Sequence, residues 1–315
     1  MLNVVLRRIA WAAPLIVIVT FIVFLLLHLS PGDPAVIIAG GEEATLEDIE
    51  RVRDRLGLND PILVQYWRMF SGVFVGDLGQ SLISTESVGG AIFARLPITL
   101  SIAGAALIVA LLIAIPVGLI AALYAGSWVD RMVTMFSTLG IATPPFFIGL
   151  MLVLLLAVQA RWLPATGYQP LEAGFLAWSE HLILPAIALG VGPAAEIARH
   201  LRGAMRDVLA RDYVRTATAK GLQPWSVVGK HALKNAALPV ITAIGLQLQS
   251  LLSGSVVIES VFAVPGIGAL LIRSVFARDY PMIQGVMLVT VLIVLLVNLI
   301  VDLSYSYLNP KVRST

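Results

Sequence analysis

The sequence predicts an all-α polytopic membrane protein with six transmembrane helices and both termini in the cytoplasm. Three observations carry that expectation. The 315 residues are 58% hydrophobic and 13% charged, with a mean hydropathy of +0.92, which excludes an ordinary soluble domain. The apolar residues gather into runs near the roughly 20 residues that one helical crossing needs. The basic residues, finally, fall on alternate sides of those runs.

The six runs extend from Ile9 to Leu29, Ile98 to Leu123, Met132 to Val158, Leu182 to Ala198, Val240 to Ile258 and Met282 to Leu303. The first follows Arg7-Arg8, as a secretory signal would. Its apolar stretch is too long for one and "HLSPGDPA" holds no small-x-small cleavage site, so it reads as an uncleaved anchor. Pro144-Pro145 predicts a bend in the third run. Pro185, Gly190, Gly192 and Pro193 interrupt the fourth and make it the weakest. Such residues are tolerated in a membrane helix where neighbours re-satisfy the freed backbone. Leu-Pro recurs at 96–97, 184–185 and 238–239, each time where an apolar run begins, and predicts a proline in the first turn of each helix.

Orientation follows from charge. With the N-terminus inside, 13 of the 21 Lys and Arg residues lie on the inner side: Arg7, Arg8, Arg131, eight from Arg199 to Lys234, Lys311 and Arg313. The outer segments hold most of the acids, ten of the 19 between Asp33 and Glu86. Residues 1–96 then form the first helix plus an extracytoplasmic helical domain. Residues 97–310 form a core of five transmembrane helices whose largest cytoplasmic segment is 199–237. There is no cysteine, so disulfides and thiolate chemistry are excluded. A net charge of +2 gives no ground for nucleic-acid binding, while the apolar runs make the lipid bilayer itself a partner.

In the outer domain "TLEDIERVRDRLGL" predicts an amphipathic helix, with Thr45 as N-cap, Asp48 at the capping-box position and Gly57 as its stop. Leu46, Ile49, Val52 and Leu56 recur on one face and predict packing against the rest of that domain. "NDPILVQYWRMFSGVF" predicts a second, more apolar helix at the membrane surface, with Tyr66 and Trp67 at the interface. Outer segments 159–181 and 259–281 are rich in Gly, Pro and aromatics and do not resemble an enzyme domain.

The cytoplasmic segment is the least lipid-like part. "EIARHLRGAMRDVLARDYV" carries the fourth helix past the membrane face, with Arg199, Arg202 and Arg206 on one side. Arg215, Thr216, Ala217, Thr218, Ala219 and Lys220 then form a short helix, which Gly221 ends in the left-handed conformation. Pro224 starts another. There Trp225, Val228, Ala232 and Ala236 share one face, opposite Lys230 and Lys234, which suits a helix flat on the inner leaflet that enters the fifth span at Leu238-Pro239. Positive-inside bias accounts for the arginines. It does not account for the alternating small residues between two chain reversals, which describe a protruding knob suited to docking.

This segment resembles the cytoplasmic EAA loop of ABC-importer permeases: E-A-A, three residues, Gly, then a stretch ending in Leu-Pro. Arg215-Thr216-Ala217 stands in place of E-A-A, followed by Gly221 and Leu238-Pro239. Arg215 replaces the Glu, and the stretch from Gly221 to Leu238 is longer than in the general pattern. Both departures resemble the dipeptide/oligopeptide branch, whose usual form is "DYVRTAxAKGL…HALKNAxLP". "SPGDPA", "GDLGQSL" at 76–82, "VVIESVFAVPGIGALLIRSVFARDYPMIQG" at 256–285 and the terminal "DLSYSYLNPKVR" agree with it, so the likeness covers nearly the whole chain.

The resemblance implies a type I ABC-importer permease in the bacterial cytoplasmic (inner) membrane, the first of two such subunits, importing di- or oligopeptides. It implies a homologous second permease subunit, two ABC ATPase subunits and an extracytoplasmic substrate-binding protein as partners. Residues 215–221 would be the coupling helix seated on an ATPase.

No G-x-x-x-x-G-K-[ST] occurs, so the resemblance places ATP and Mg on the partner subunits and none in this chain. The chain is read as non-catalytic, without G-x-S-x-G, H-E-x-x-H or a clustered catalytic set. His28, His181, His200 and His231 are scattered near membrane faces and read as interfacial packing rather than metal ligands. In the fifth run Gly245, Gln249 and Ser253 share one face, and Asn298 lies deep in the sixth. Gln249, Ser253 and Asn298 are candidates for the substrate pathway, or else for bonds between helices. Glu259 and Asp302 lie near span ends, where carboxylates reach water. Thr143-Pro144-Pro145 reads as a kink. Two other readings stand: the same architecture carrying nickel chelates, glutathione or another small solute, and an ion-gradient-driven secondary transporter. The latter predicts ionisable residues at mid-membrane, which are largely absent.

Overall fold

The computed structural model describes residues 2–29, 34–40, 43–84 and 86–308, which are helices and short connections with no strand among them. "SPGDPA" lies largely outside the described residues, and the tail beyond Leu308, with Lys311 and Arg313, wholly so; the side chain of Asp302 also lies outside them. In chain order the helices are α1 (Leu2–Leu29), α2 (Pro34–Ala39), α3 (Leu46–Leu56), α4 (Ile62–Phe74), α5 (Val88–Leu123), α6 (Trp128–Ala142) and α7 (Pro145–Leu152). Then come α8 (Phe175–Leu209), α9 (Asp212–Ala219), α10 (Pro224–Ser226), α11 (Leu233–Val261), α12 (Ile267–Ala277) and α13 (Tyr280–Leu308). Wider π turns at Val153–Gln159 and Val227–Ala232 continue α7 and join α10 to α11. The chain divides into two compact units, Ile98–Gly268 with the chain from Leu296 onward, and Leu2–Pro97 with Ala269–Leu295.

In the first unit α8 is the central helix. Its apolar stretch is 67% buried, against 28–33% for α5, the run ending in α11, and α13. Small residues make this possible. A Cβ at Gly190 would stand 2.7 Å from the carbonyl oxygen of Ala106, and one at Gly118 2.9 Å from that of Ala198. Between these crossings Ala110, Ala114 and Ala194 are buried. Four-residue spacing of small side chains on both helices lets their backbones close to contact, which drives association where lipid offers no hydrophobic gain.

Two expectations change here. The weak fourth span is an unbroken 35-residue helix with Pro185 and Pro193 inside it. The three Leu-Pro pairs, likewise, do not open their helices: Pro97, Pro185 and Pro239 all lie well inside α5, α8 and α11. A proline loses only one backbone bond, and flanking helices hold the turns on either side. The third run, by contrast, bends more than expected. Thr143 and Pro144 each precede a proline, which forces both into extended backbone at ψ 122° and 138°, and α6 meets α7 at 99°. Pro145 then starts α7.

Among the described residues four helices are long and apolar enough to cross a membrane, or five if α6 and α7 make one span. The remaining expected span lies on α1, whose described apolar part is Ala10–Leu25.

In the second unit Tyr66 of α4 is buried against α1. Its hydroxyl bonds Thr20 Oγ1 at 2.9 Å and donates to the Val17 carbonyl at 3.0 Å, and its ring meets Phe21, Phe24 and Phe70. The caps of α3 are as expected: Thr45 Oγ1 accepts the Asp48 N–H at 3.2 Å and Gly57 closes the helix at φ +65°. The same Thr45 hydroxyl, with Arg51 behind it, holds the Asp48 carboxyl below its usual range. The apolar stripe of α3 is less enclosed than expected, since Ile49 and Val52 are half-buried and Leu46 is exposed. Ser81 donates to Asp279 Oδ2 at 2.5 Å and the Leu82 N–H to Oδ1 at 3.1 Å, tying "GDLGQSL" to the start of α13.

Candidate functional site

The knob between α8 and α11 packs against the helical runs on both sides of it. α9 presents Val214 and Ala217 inward, both buried, where they join an apolar cluster with Met205 and Val208 of α8 and Val227 and Ala232 of the π turn. Arg215, Thr216, Thr218, Ala219, Lys220 and Gly221 are exposed. Thr216 and Thr218 donate their hydroxyls to the carbonyls of Asp212 and Val214, at 3.0 and 3.1 Å. Their outer surface is therefore mostly methyl, framed by Arg215 and Lys220. Gly221 stands at φ +79°. Its N–H bonds the Thr218 carbonyl at 2.9 Å and the Leu222 N–H that of Ala217 at 3.4 Å, the paired closure of a Schellman turn. Pro224 sits at the first position of α10, so the chain re-enters a helix three residues later.

The face that follows differs from the expected one. Across the π turn the buried residues are Val227, Ala232, Ala236 and Val240, and Trp225 is 75% exposed. A π turn holds more residues than an α turn, so the packed stripe steps by five before it returns to four. Helix continues from Pro224 to Val261 with no break at Leu238-Pro239.

Just before the knob, Arg202 of α8 holds Asp130 in the first turn of α6, outside the stretches expected to cross the membrane. Asp130 also accepts the Gly126 N–H at 2.9 Å. The Arg202 bond foremost, then Gly126, pulls the carboxyl down to about 2, and Asp130 in turn raises the Arg202 guanidinium above its ordinary range.

Of the polar residues expected in the membrane, two are brought together. Gln249 Nε2 donates to Asn298 Oδ1, joining α11 to α13. One turn earlier a Cβ at Gly245 would lie 2.5 Å from Val301 Cγ2, so the two helices are in close contact there. Ser253, one turn later, is exposed. The histidines are placed separately: His28 Nδ1 bonds the carbonyl of Phe24 at 2.9 Å and His181 Nδ1 that of Ala177 at 2.8 Å, each one turn back on its own helix.

The family described as "Binding-protein-dependent transport system inner membrane component" matches residues 114–314, and its N-terminal companion matches residues 1–103. This chain belongs to that family. As a binding-protein-dependent inner membrane component it is a permease subunit of an ABC importer. It is 40% identical over 309 residues to the probable peptide ABC transporter permease protein y4tP of Sinorhizobium fredii, covering 98% of each chain. It is 42% identical over 313 residues to the glutathione transport system permease protein GsiC of Escherichia coli, covering 99% of each. Its fold is similar to that of the MetNI methionine ABC transporter in an inward-facing conformation, at TM-score 0.56 and 19% identity over 67% of this chain and 93% of that one.

One site in this inner membrane component was not legible as a site. Glu259, expected to reach water, is fully buried at the end of α11. Thr99 Oγ1 donates to Glu259 Oε1 at 2.6 Å and accepts the Ile267 N–H at 2.8 Å. The chain folds over the carboxylate at Gly266, where a Cβ would collide with it, and at Gly268, where a Cβ would stand 2.9 Å from Oε2. The signal was present in "ESVFAVPGIG": an acid followed by two glycines that leave room for it.

Proposed function

We propose that this chain is one of two membrane subunits of an ATP-driven importer of dipeptides or oligopeptides, crossing the bacterial inner membrane six times with both termini inside. It forms half of the translocation pathway with a homologous second permease subunit. An extracytoplasmic binding protein delivers the substrate, and two ABC ATPase subunits bind ATP and Mg and supply the energy.

The observation that carries the coupling is the build of α9. Its inner face is fixed to α8 and to the run into α11, so a push on its outer face is delivered to both helices as tilt. Thr216, Thr218 and Ala219 allow close approach of an ATPase groove, and Arg215 and Lys220 pair with acids at its rim. Ala217 anchors the helix and Gly221 ends it. Ser253 lines the pathway, and Gln249 with Asn298 forms the wall beside it. The relatives named for peptide transport support the cargo class, and the E. coli relative named for glutathione supports a second reading, in which the cargo is that tripeptide.

Purification of the tagged chain in mild detergent, with mass spectrometry of what accompanies it, tests the assembly. A sister permease and Walker-A ATPases are expected. Replacing Thr216–Gly221 by a flexible linker is expected to release both ATPases and keep the sister. Retention of the ATPases overturns the coupling role. Arrival of the chain alone, in a detergent that keeps a known ABC complex whole, favours an ion-driven carrier. Uptake of labelled dipeptide against labelled glutathione in proteoliposomes separates the two cargoes.

A further inference from the structure

The contacts of α4 lie deeper than the membrane surface. Gln65 Oε1 meets His28 Nε2 at 3.1 Å near the outer end of α1, and the Tyr66 hydroxyl on the next residue reaches Thr20 and Val17. Thr20 stands in the middle of the apolar run from Ile9 to Leu29. Met69, a turn further along α4, lines a small cleft with Val19 and Val23 of α1 and with Gln284, Met287 and Val291 of α13. Helix α13 begins at Tyr280, two residues before its apolar run. At 1.5 Å per residue those three residues stand about 6 to 16 Å along the helix, and half the hydrocarbon core of a bilayer is about 15 Å. Two spans thus place the same turns of α4 at the same depth.

The rest of α4 suits that depth. Leu63, Trp67 and Phe74 are exposed on its outer side. Arg68 does not break this apolar side, because its guanidinium reaches back to Asp60 Oδ2 at 2.5 Å, ahead of the helix. The far end of α4 is closed by the turn after it: the N–H groups of Val75 and Asp77 bond the Gly72 carbonyl at 3.1 and 2.9 Å, and that of Gly76 bonds the Val73 carbonyl at 3.1 Å. Open carbonyls at a helix end are costly in hydrocarbon, and the turn supplies donors to those of Gly72 and Val73. From there the chain returns to Ser81, bonded to Asp279 at the start of α13.

We propose that α4 is a re-entrant helix embedded in the outer leaflet, and that Leu63, Trp67 and Phe74 face lipid acyl chains. The segment between the first two spans is then partly a membrane element, whatever solute the importer carries.

The chain has no cysteine, so single-cysteine variants carry unique labels. Spin labels at Leu63→Cys, Trp67→Cys and Phe74→Cys are compared in the full chain, with its co-purifying subunits, in phosphatidylcholine nanodiscs. Leu46→Cys, on the exposed side of α3, is the aqueous reference, and doxyl-labelled phosphatidylcholines calibrate depth. For α4 the expected result is several-fold less collision with a water-soluble nickel chelate than at Leu46→Cys, and several-fold more with oxygen. Nickel accessibility equal to that of Leu46→Cys overturns the proposal in favour of an aqueous face. Low collision with both reagents overturns it in favour of a protein cover.

Discussion

Arg202 grips both oxygens of Asp130, Nε to Oδ1 at 2.5 Å and Nη2 to Oδ2 at 2.8 Å, across 72 residues of chain. The pair ties the start of α6 to α8 at the base of the α9 knob. Its strength depends on pH in a direction the geometry fixes. The folded carboxyl titrates at about 2 rather than 3.8, a difference worth about 2 kcal/mol. A depressed acid stabilises the fold fully above its unfolded value and stops doing so as pH falls through the folded one. Thermal unfolding in detergent is expected to lose that increment between about pH 4 and pH 2, and Asp130→Asn should flatten this part of the profile.

The same substitution also carries a penalty at neutral pH. Arg202 is only 25% exposed at its side chain and would keep its charge without the carboxylate. Loss of one partner from such a pair is expected to cost about 3 kcal/mol, read as a lower midpoint of thermal unfolding. Asp130→Glu, if it reaches the guanidinium, should recover part of this.

Thr99 bridges Glu259 and the Ile267 N–H, so its hydroxyl holds two buried groups at once. Thr99→Val leaves both without it and is expected to lower stability by about 2–3 kcal/mol. Thr99→Ser keeps the hydroxyl and should unfold close to the parent. Gly266→Ala is expected to resemble Thr99→Val, because the added methyl occupies the place of the carboxylate.

Gln249 and Asn298 bond each other across α11 and α13. A double-mutant cycle with Gln249→Leu and Asn298→Leu should show a coupling of about 0.6–2 kcal/mol, the range for polar contacts between membrane helices. Ser253→Leu, at an exposed position, should leave stability near the parent value and reduce uptake if Ser253 lines the pathway.

Gly221 turns the chain at φ +79°. Gly221→Val places a β-branched side chain in the left-handed region and is expected to cost about 1–2 kcal/mol locally. If α9 couples to an ATPase as proposed, substrate-stimulated ATPase activity should fall more than total stability does, since the strain sits in the closure of α9.

Much of this was readable in one dimension. Apolar runs and the caps at Thr45, Gly57 and Gly221 depend on local composition and backbone preference, so they are legible without knowledge of neighbours. The knob was legible in part for the same reason: its small residues and its stop at Gly221 were read, but its helix starts at Asp212, on residues the sequence assigned to the end of the fourth helix. The burial of Tyr66 was not legible, because an amphipathic ring suits a membrane interface and a buried hydrogen bond equally well. Trp225 was misread because an α-helical period was applied across a π turn.

What the sequence by itself determined is the class of the protein: an all-helical membrane chain, its family resemblance and the position of its knob. Only the tertiary structure decided that the proline-rich fourth run is the most enclosed helix, that Arg202 selects Asp130, and that Glu259 is sealed by Thr99 and the Gly266–Gly268 turn. The Arg202–Asp130 and Thr99–Ile267 contacts join residues 72 and 168 apart in the chain. Local propensity is set within a few residues, whereas close approach of two helices depends on which small side chains happen to face each other.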